Sequence, residues 1–567
     1  MWFSLIGNRT FHPGERNPMA LMIDRRIGGP GTGKTHLLLG QLSEWKANLS
    51  LAPEEIGLCT FTRNGRRELS ERAAAEWGVE PDVLTKAGFF RTAHSIAYRQ
   101  IEVEDGQLLH GKEGSEWLAG LFPGQVNATL GQETSYGSSS PAAMALRAWD
   151  LARNKIVPLG AILRLWRALG GQSPGLDEAT WAVTRYETAK MREGRLDYTD
   201  LVARFAGVRF TKDGPSECSP QGDVPDTLRV LAIDEAQDSS ALVDRVCRRL
   251  AASDRVEAVF LCGDPYQSIY SFTGSDYRHF LAWDAVESVM PRSYRCPPEV
   301  MAIGEKCIRE MRFGYRDRGI LPASHAGRII RATCPHDAME HAKEGSVLIV
   351  GRCGHSLSPY HDYLTERGIP HQAVDRVGSV ARVSGYAAYW ALQHGEPITG
   401  DDWQKAISMT QANHKELGGL IRRGEKAAWE KGRRASIDVI LPTDDDMAMA
   451  GCTESLIAAI RSGEWVRAID ADHAKSAAEW FASARKHGPK EASDPRVKLS
   501  TIHSAKGAEA DTVIVSTVTS PAVERARLLL DESHDEECRV AYVAVTRARH
   551  KLVVVDDGGE YRMRIPA

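Results

Sequence analysis

Eight consecutive residues, Gly28-Gly29-Pro30-Gly31-Thr32-Gly33-Lys34-Thr35, have the types and spacing to hold a triphosphate, matching the pattern G-x-x-x-x-G-K-[ST]. Glycines let successive backbone N–H groups turn toward phosphate oxygens, Lys34 reaches the β/γ-phosphates, and Thr35 offers a hydroxyl to Mg²⁺. From His36 the chain reads as the start of a helix, whose dipole favours an anion. In Leu231-Ala232-Ile233-Asp234-Glu235-Ala236-Gln237-Asp238, two carboxylates end an apolar run. There Asp234 can hold Mg²⁺ and Glu235 can orient and deprotonate an attacking water. A third segment, Gly263-Asp264-Pro265-Tyr266-Gln267-Ser268-Ile269-Tyr270-Ser271-Phe272-Thr273-Gly274, sets Gln267 where it can sense a γ-phosphate. Tyr270 and Phe272 follow it closely, and unpaired bases can stack on such rings. Taken singly, these are a glycine turn, an acidic loop and two core aromatics; their order on one chain favours the chemistry.

Strands must present these segments. An apolar run over 20–27 precedes the phosphate loop, although Asp24, Arg25 and Arg26 are out of character for a buried parallel strand. Met19 and Met22 offer alternative starts to the chain. Residues 56–59, 228–233 and 258–262 read as further strands, and 64–77 as a polar helix. A helical insertion is expected over 95–210, broken by a loop at 137–141, and a linker with three prolines over 213–226. A second α/β unit begins near Arg292, with a strand at 346–350, a helix at 361–367 and a mostly helical stretch over 379–493. Strands return at 497–500, 512–516 and 551–555. The expected class is α/β, two units each interrupted by a helical insertion.

Composition fits this. At 567 residues the chain exceeds what one core usually supports, and 26% charged with 43% hydrophobic residues is ordinary for a globular protein. No apolar run is long enough to cross a membrane and no signal sequence is evident, so a cytoplasmic protein with no membrane partner is expected. Ten scattered cysteines without a C-x-x-C pair suit a reducing compartment. A net charge of −4 confines any nucleic-acid surface to a local channel.

Taken in order, the segments resemble the UvrD/Rep-type superfamily 1 helicases from Gly28 to His550. The remaining matches are Thr60-Phe61-Thr62, Thr92-Ala93-His94-Ser95, Asp197-Tyr198-Thr199-Asp200-Leu201, Ser293-Tyr294-Arg295, Thr501-Ile502-His503-Ser504-Ala505-Lys506-Gly507-Ala508-Glu509 and Ala541-Tyr542-Val543-Ala544-Val545-Thr546-Arg547-Ala548. The resemblance implies two RecA-like parallel-sheet domains with ATP and Mg²⁺ in the cleft between them. The first would comprise 1–90 and 226–290 around a helical insertion at 91–225. The second would comprise 291–378 and 495–567 around an insertion at 379–494. Lys34, Thr35, Asp234, Glu235 and Gln267 would come from the first domain, and Arg295 and Arg547 from the second, both meeting the γ-phosphate. Tyr294 would stack on the adenine, and Glu509 would contact the ribose or a nearby water. Thr62, His94, Tyr270, Phe272, Thr501 and His503 fall where the family touches single-stranded DNA. The implied activity is 3′→5′ translocation and unwinding, acting on single strands and single/double-strand junctions, with repair or replication proteins as partners.

Several departures qualify the match. No glutamine precedes Gln41, so the family's adenine-reading glutamine is missing, and His36 stands where an arginine beside the base is common. Thr273 and Ala93 replace an arginine and an aromatic, which favours translocation over strong unwinding. The stretch 414–434 carries seven Lys/Arg against three Glu, either a duplex contact or a solvated helix face. With seventeen residues after His550, no fused nuclease is expected. Competing readings are a RecD-like or RNA-directed superfamily 1 helicase, and a DNA-stimulated ATPase switch that unwinds nothing.

Overall fold

The computed structural model describes residues 21–61, 63–130, 134–136, 139–211, 214–373, 379–431, 438–556 and 558–566. Its first strand, Met22–Ile27 (β1), resolves the oddity of charges in a parallel strand. Arg25 is buried and reaches past the sheet. It donates to the carbonyls of Phe280 (3.3 Å), Leu281 (2.9 Å) and Trp283 (2.8 Å) and to the Glu287 carboxylate (3.0 Å). A buried guanidinium is tolerable when its donors are used this way.

The chain divides into two compact units. The first is Met1–Met301, Glu305–His325 and Pro521–Tyr542; the second is Ala302–Gly304, Ala326–Ser520 and Val543–Ala567. In the first, β1 joins Ile56–Thr60 (β2), Phe89–Thr92 (β3), Val230–Ile233 (β4), Ala258–Gly263 (β5) and Val286–Val289 (β6) in an all-parallel sheet of order β6-β1-β5-β4-β2-β3. The strands β2, β4 and β5 are wholly buried, as parallel strands covered by helices on both faces must be. The helix after the phosphate loop is Lys34–Asn48 (α1), which buries Leu38, Leu39, Leu42 and Trp45.

The insertion between β3 and β4 has its own core on Pro141–Lys155 (α2), Leu176–Glu193 (α3) and neighbours, and Tyr198–Ala206 (α4) returns the chain to the sheet. Gly207 ends α4 in the left-handed region, and Val208–Thr211 then pairs antiparallel with Gly214–Glu217. The helix expected to reach residue 210 therefore stops early, and the expected linker begins as a hairpin. Gly207 breaks the helix, and Val208, Phe210 and Thr211 favour the strand that follows.

The second unit is a parallel sheet of Arg328–Ala332 (β7), Val347–Gly351 (β8), His371–Ala373 (β9), Val497–Thr501 (β10), Ala510–Ser516 (β11) and Ala548–Val555 (β12), in the order β7-β12-β11-β8-β10-β9. Its insertion packs on a separate aromatic core, in which Tyr389 stacks on Trp465 at 5.1 Å. Both units are RecA-like α/β sheets. Among the described residues no helix is long and apolar enough to cross a membrane.

Candidate active site

Parallel strands bring their C-terminal ends to one edge, where open α/β sheets bind ligands. Ile27 pairs with Gly263 and Val289, and Ile233 with Leu261, so the loops after β1, β4, β5 and β6 emerge level with one another. Those loops are the phosphate loop, Asp234-Glu235, Asp264–Gln267 and Ser293-Tyr294-Arg295. Gly28 N–H bonds the Gly263 carbonyl at 2.9 Å, and Met290 N–H bonds that of Ile27 at 2.9 Å.

The Ser293–Arg295 loop lies directly on the phosphate loop. Ser293 Oγ donates to the Pro30 carbonyl at 2.7 Å, and Tyr294 N–H to that of Gly31 at 2.8 Å. Gly31 has φ +67°, and a Cβ there would come within 2.2 Å of Arg295 Cβ, so only glycine fits. Arg295, expected from the second domain, thus belongs to the same compact unit as the phosphate loop. The reason is the short β6, whose end delivers residues 293–295 to Gly31. Burial works against the Arg295 charge and lowers its pKa. Tyr294 is 75% exposed, a free aromatic face at this edge.

Lys34 Nζ donates to the carbonyls of Gly28 (3.2 Å) and Gly29 (3.4 Å), and Thr32 Oγ1 to that of Gly29 (2.9 Å). Gly33, at φ +83°, ends the loop so that α1 opens on Lys34 and Thr35, while His36 is exposed on its first turn. Asp234 is buried and its Oδ1 has no hydrogen-bond partner. Burial, reinforced by neighbouring Glu235, pushes its carboxyl up to about 7, against the pull of Lys34. An orphaned carboxylate oxygen in that state fits a divalent cation. Glu235 adopts the left-handed conformation at φ 48°, a strained geometry for a non-glycine residue, as functional sites often store.

Gln237 and Arg318 carry much of the remaining order. The fully buried Gln237 donates to Glu235 and accepts from Asp264 N–H at 2.9 Å, joining the two acidic loops. Asp264 Oδ2 accepts from Gln267 Nε2 at 2.9 Å. Its Oδ1 is gripped by Arg318 Nη1 at 2.7 Å, and the same guanidinium reaches Glu305 at 3.1 Å and Tyr542 Oη at 2.8 Å. Arg318 also lies 4.4 Å over the Tyr266 ring. Gln237 was visible inside the acidic segment without an assigned role. Arg318 is one of three arginines, with Arg312 and Arg316, in a loop whose sequence carries no signal that singles it out.

The DNA-contact candidates fall differently. Phe272 is 61% exposed and stands edge-on to Tyr270 at 6.0 Å. Burial lowers His94 to about 4, so it stays neutral and brings no cation. Thr62 lies outside the described residues, as do 432–434 of the basic stretch. In the second unit Thr501 closes the turn after β10 by accepting from Ser504 N–H at 3.3 Å, and His503 follows, partly exposed. Arg547 is buried, donating to the carbonyls of Val543 (3.0 Å) and Ala508 (3.3 Å), and Glu509 pairs with Arg549. The motif at Asp197–Leu201 is a structural lock. Asp197 and Asp200 cap α4 reciprocally and sit among Arg153, Lys190 and Glu187. Two cations already fill that carboxylate cluster, which makes it a buried ion network rather than a metal site.

Fold and site together fit a phosphate-loop nucleoside triphosphatase with two RecA-like sheets. An AAA domain model matches residues 19–273 and a UvrD-like helicase C-terminal domain model matches 481–556. The chain is 25% identical over 572 residues to the ATP-dependent DNA helicase UvrD2 of Mycobacterium bovis, covering 93% of this chain and 75% of that one. It is 19% identical over 628 residues to the ATP-dependent DNA helicase PcrA of Bacillus subtilis, covering 94% and 80%. These matches make the chain similar, over most of its length, to the UvrD/Rep-type superfamily 1 helicases and support that reading of it.

Proposed function

We propose that this protein is an ATP-dependent DNA helicase that translocates 3′→5′ along single-stranded DNA and opens duplexes at single/double-strand junctions, in repair or replication. The observation that supports this best is the convergence at one sheet edge of the phosphate loop, Asp234-Glu235, Asp264–Gln267 and Arg295, with an exposed aromatic platform three to five residues beyond Gln267. The relatives' names, ATP-dependent DNA helicases, agree with it.

In this reading the loop N–H groups and Lys34 cradle the triphosphate, and Tyr294 and His36 flank the base. Thr35 and Asp234 would hold Mg²⁺, which supplies charge neutralisation at the phosphates when bound. Glu235 orients the attacking water and takes its proton, Gln267 reads the γ-phosphate, and Arg295 and Arg547 offset the charge that develops on it. Alternation between nucleotide-bound and nucleotide-free states moves the strand across Tyr270 and Phe272, with Thr62, His94, Thr501 and His503 as further contacts. The test is strand displacement on 3′-tailed, 5′-tailed and blunt duplexes beside an ATPase assay. Displacement only with a 3′ tail is expected, and activity confined to 5′ tails refutes the polarity. Hydrolysis without any displacement would mark a DNA-stimulated switch instead.

A further inference from the structure

The aromatic platform needs cations beside it, because single-strand binding couples base stacking to phosphate neutralisation. The described charged groups around the loop are mostly committed. Arg278 is paired with Asp276 at 2.6 Å, Arg539 donates to the Ser268 carbonyl at 2.8 Å, and Glu536 accepts from Ser271 N–H at 3.3 Å. Arg153 is consumed in the buried carboxylate network. Thr273, at the tip, spends its hydroxyl on the Tyr270 carbonyl at 2.8 Å.

Lys155 differs. It is the last residue of α2, whose end packs against the loop. Ser240 bridges to Asn154 at 3.4 Å and pairs with Ser275. Gly274 has φ +100°, and a Cβ there would lie 2.9 Å from Asn154 Cβ and 3.6 Å from Lys155 Cγ, so the lysine stem runs alongside the loop. The carbonyls at the end of α2 are closed by the N–H groups of Ile156 (3.1 Å) and Val157 (3.0 Å), so Lys155 is not needed as a cap. It is partly exposed, and among the described residues no hydrogen bond or ion pair holds it.

The geometry points to Lys155 as a phosphate contact for a single strand stacked on Tyr270 and Phe272, a cation lent to the platform by the helical insertion. This rests on the single-strand reading above. The test is equilibrium binding of the full chain to a labelled oligothymidylate across a NaCl series, for the unaltered protein, Lys155→Ala, Lys155→Arg and Phe272→Ala. Each phosphate contact contributes about 0.7 to the slope of log K against log salt. Lys155→Ala is expected to lower that slope by about 0.7 and Lys155→Arg to restore it, while Phe272→Ala weakens binding at every salt concentration with the slope kept. An unchanged slope in Lys155→Ala, with the unaltered protein binding normally, overturns the assignment and leaves the helicase reading standing. Absence of binding by the unaltered protein overturns both.

Discussion

Asp234→Asn should make the metal-free protein more stable at pH 8 and much less so at pH 5. Burial and the adjacent Glu235 raise the Asp234 carboxyl from 3.8 to about 7. For a carboxylate with a raised folded value, the sign runs as a penalty. Below pH 3.8 it is protonated in both states and contributes nothing; between 3.8 and 7 the unfolded chain alone ionises, so stability falls as pH rises; above 7 the full penalty is in place. Three units at somewhat over 1 kcal/mol each put that penalty on the order of 4 kcal/mol at pH 8, against roughly 2 kcal/mol at pH 5. Asparagine keeps the shape and removes the charge, at the cost of a buried amide whose hydrogen bonds are imperfect, about 1–3 kcal/mol. The expected outcome is a gap between variant and parent that moves in the variant's favour by on the order of 2 kcal/mol from pH 5 to pH 8. That appears as a few degrees in the unfolding midpoint of the first unit. Differential scanning fluorimetry in EDTA at both pH values measures it. With saturating Mg²⁺ and ATP the order should reverse at pH 8, because only the parent gains the ligand's stabilisation. A gap that is equal at pH 5 and pH 8 without metal would refute the argument that Asp234 is a charge held in place for a cation.

Glu235→Gln should bind nucleotide about as well as the parent while turnover falls by about 10²-fold or more, because the base is lost and the metal ligand remains; near-normal turnover in a coupled ATPase assay would remove Glu235 from that role. Arg318→Met leaves the buried Asp264 without its cation, so the Gln267 loop should loosen. The expected result is a kcat loss with a smaller change in KM for ATP, recovered in part by Arg318→Lys, and a KM change alone would contradict it.

What the sequence conceals follows a pattern. The strands read from it, β1, β2, β4, β5, β8, β10, β11 and β12, are the inner members of the two sheets; the four it does not announce, β3, β6, β7 and β9, are the edges. Inner parallel strands are buried on both faces and show as apolar runs, whereas Val286–Val289 and Arg328–Ala332 are half-exposed, carry charges and resemble loops. The site divides the same way. Lys34, Asp234, Glu235 and Gln267 are legible because their chemistry needs fixed types at fixed spacing. The placement of Arg295 in the first unit depends on the unannounced β6, and Arg318 depends on a fold that returns residues 305–325 to Asp264.

Asp264 is where these observations meet. One carboxylate fixes Arg318 on one side and Gln267 on the other, while its own N–H is tied through Gln237 to Glu235. Three residues beyond Gln267 stands Tyr270, and two further on the exposed Phe272, with Arg539 holding the Ser268 carbonyl between them. In the function proposed above, a displacement of Gln267 on loss of the γ-phosphate would have little slack to absorb it before reaching the rings. The intervening backbone is anchored at Ser268, where the hydroxyl also donates to the Gln237 carbonyl, and at Thr273 and Ser275, whose hydroxyls bond back to Tyr270 and Asp238. A short segment pinned at both ends transmits a shift as a change of tilt. The residues between Asp264 and Ser275 thus form one hydrogen-bonded segment that joins the Gln267 loop to the two rings.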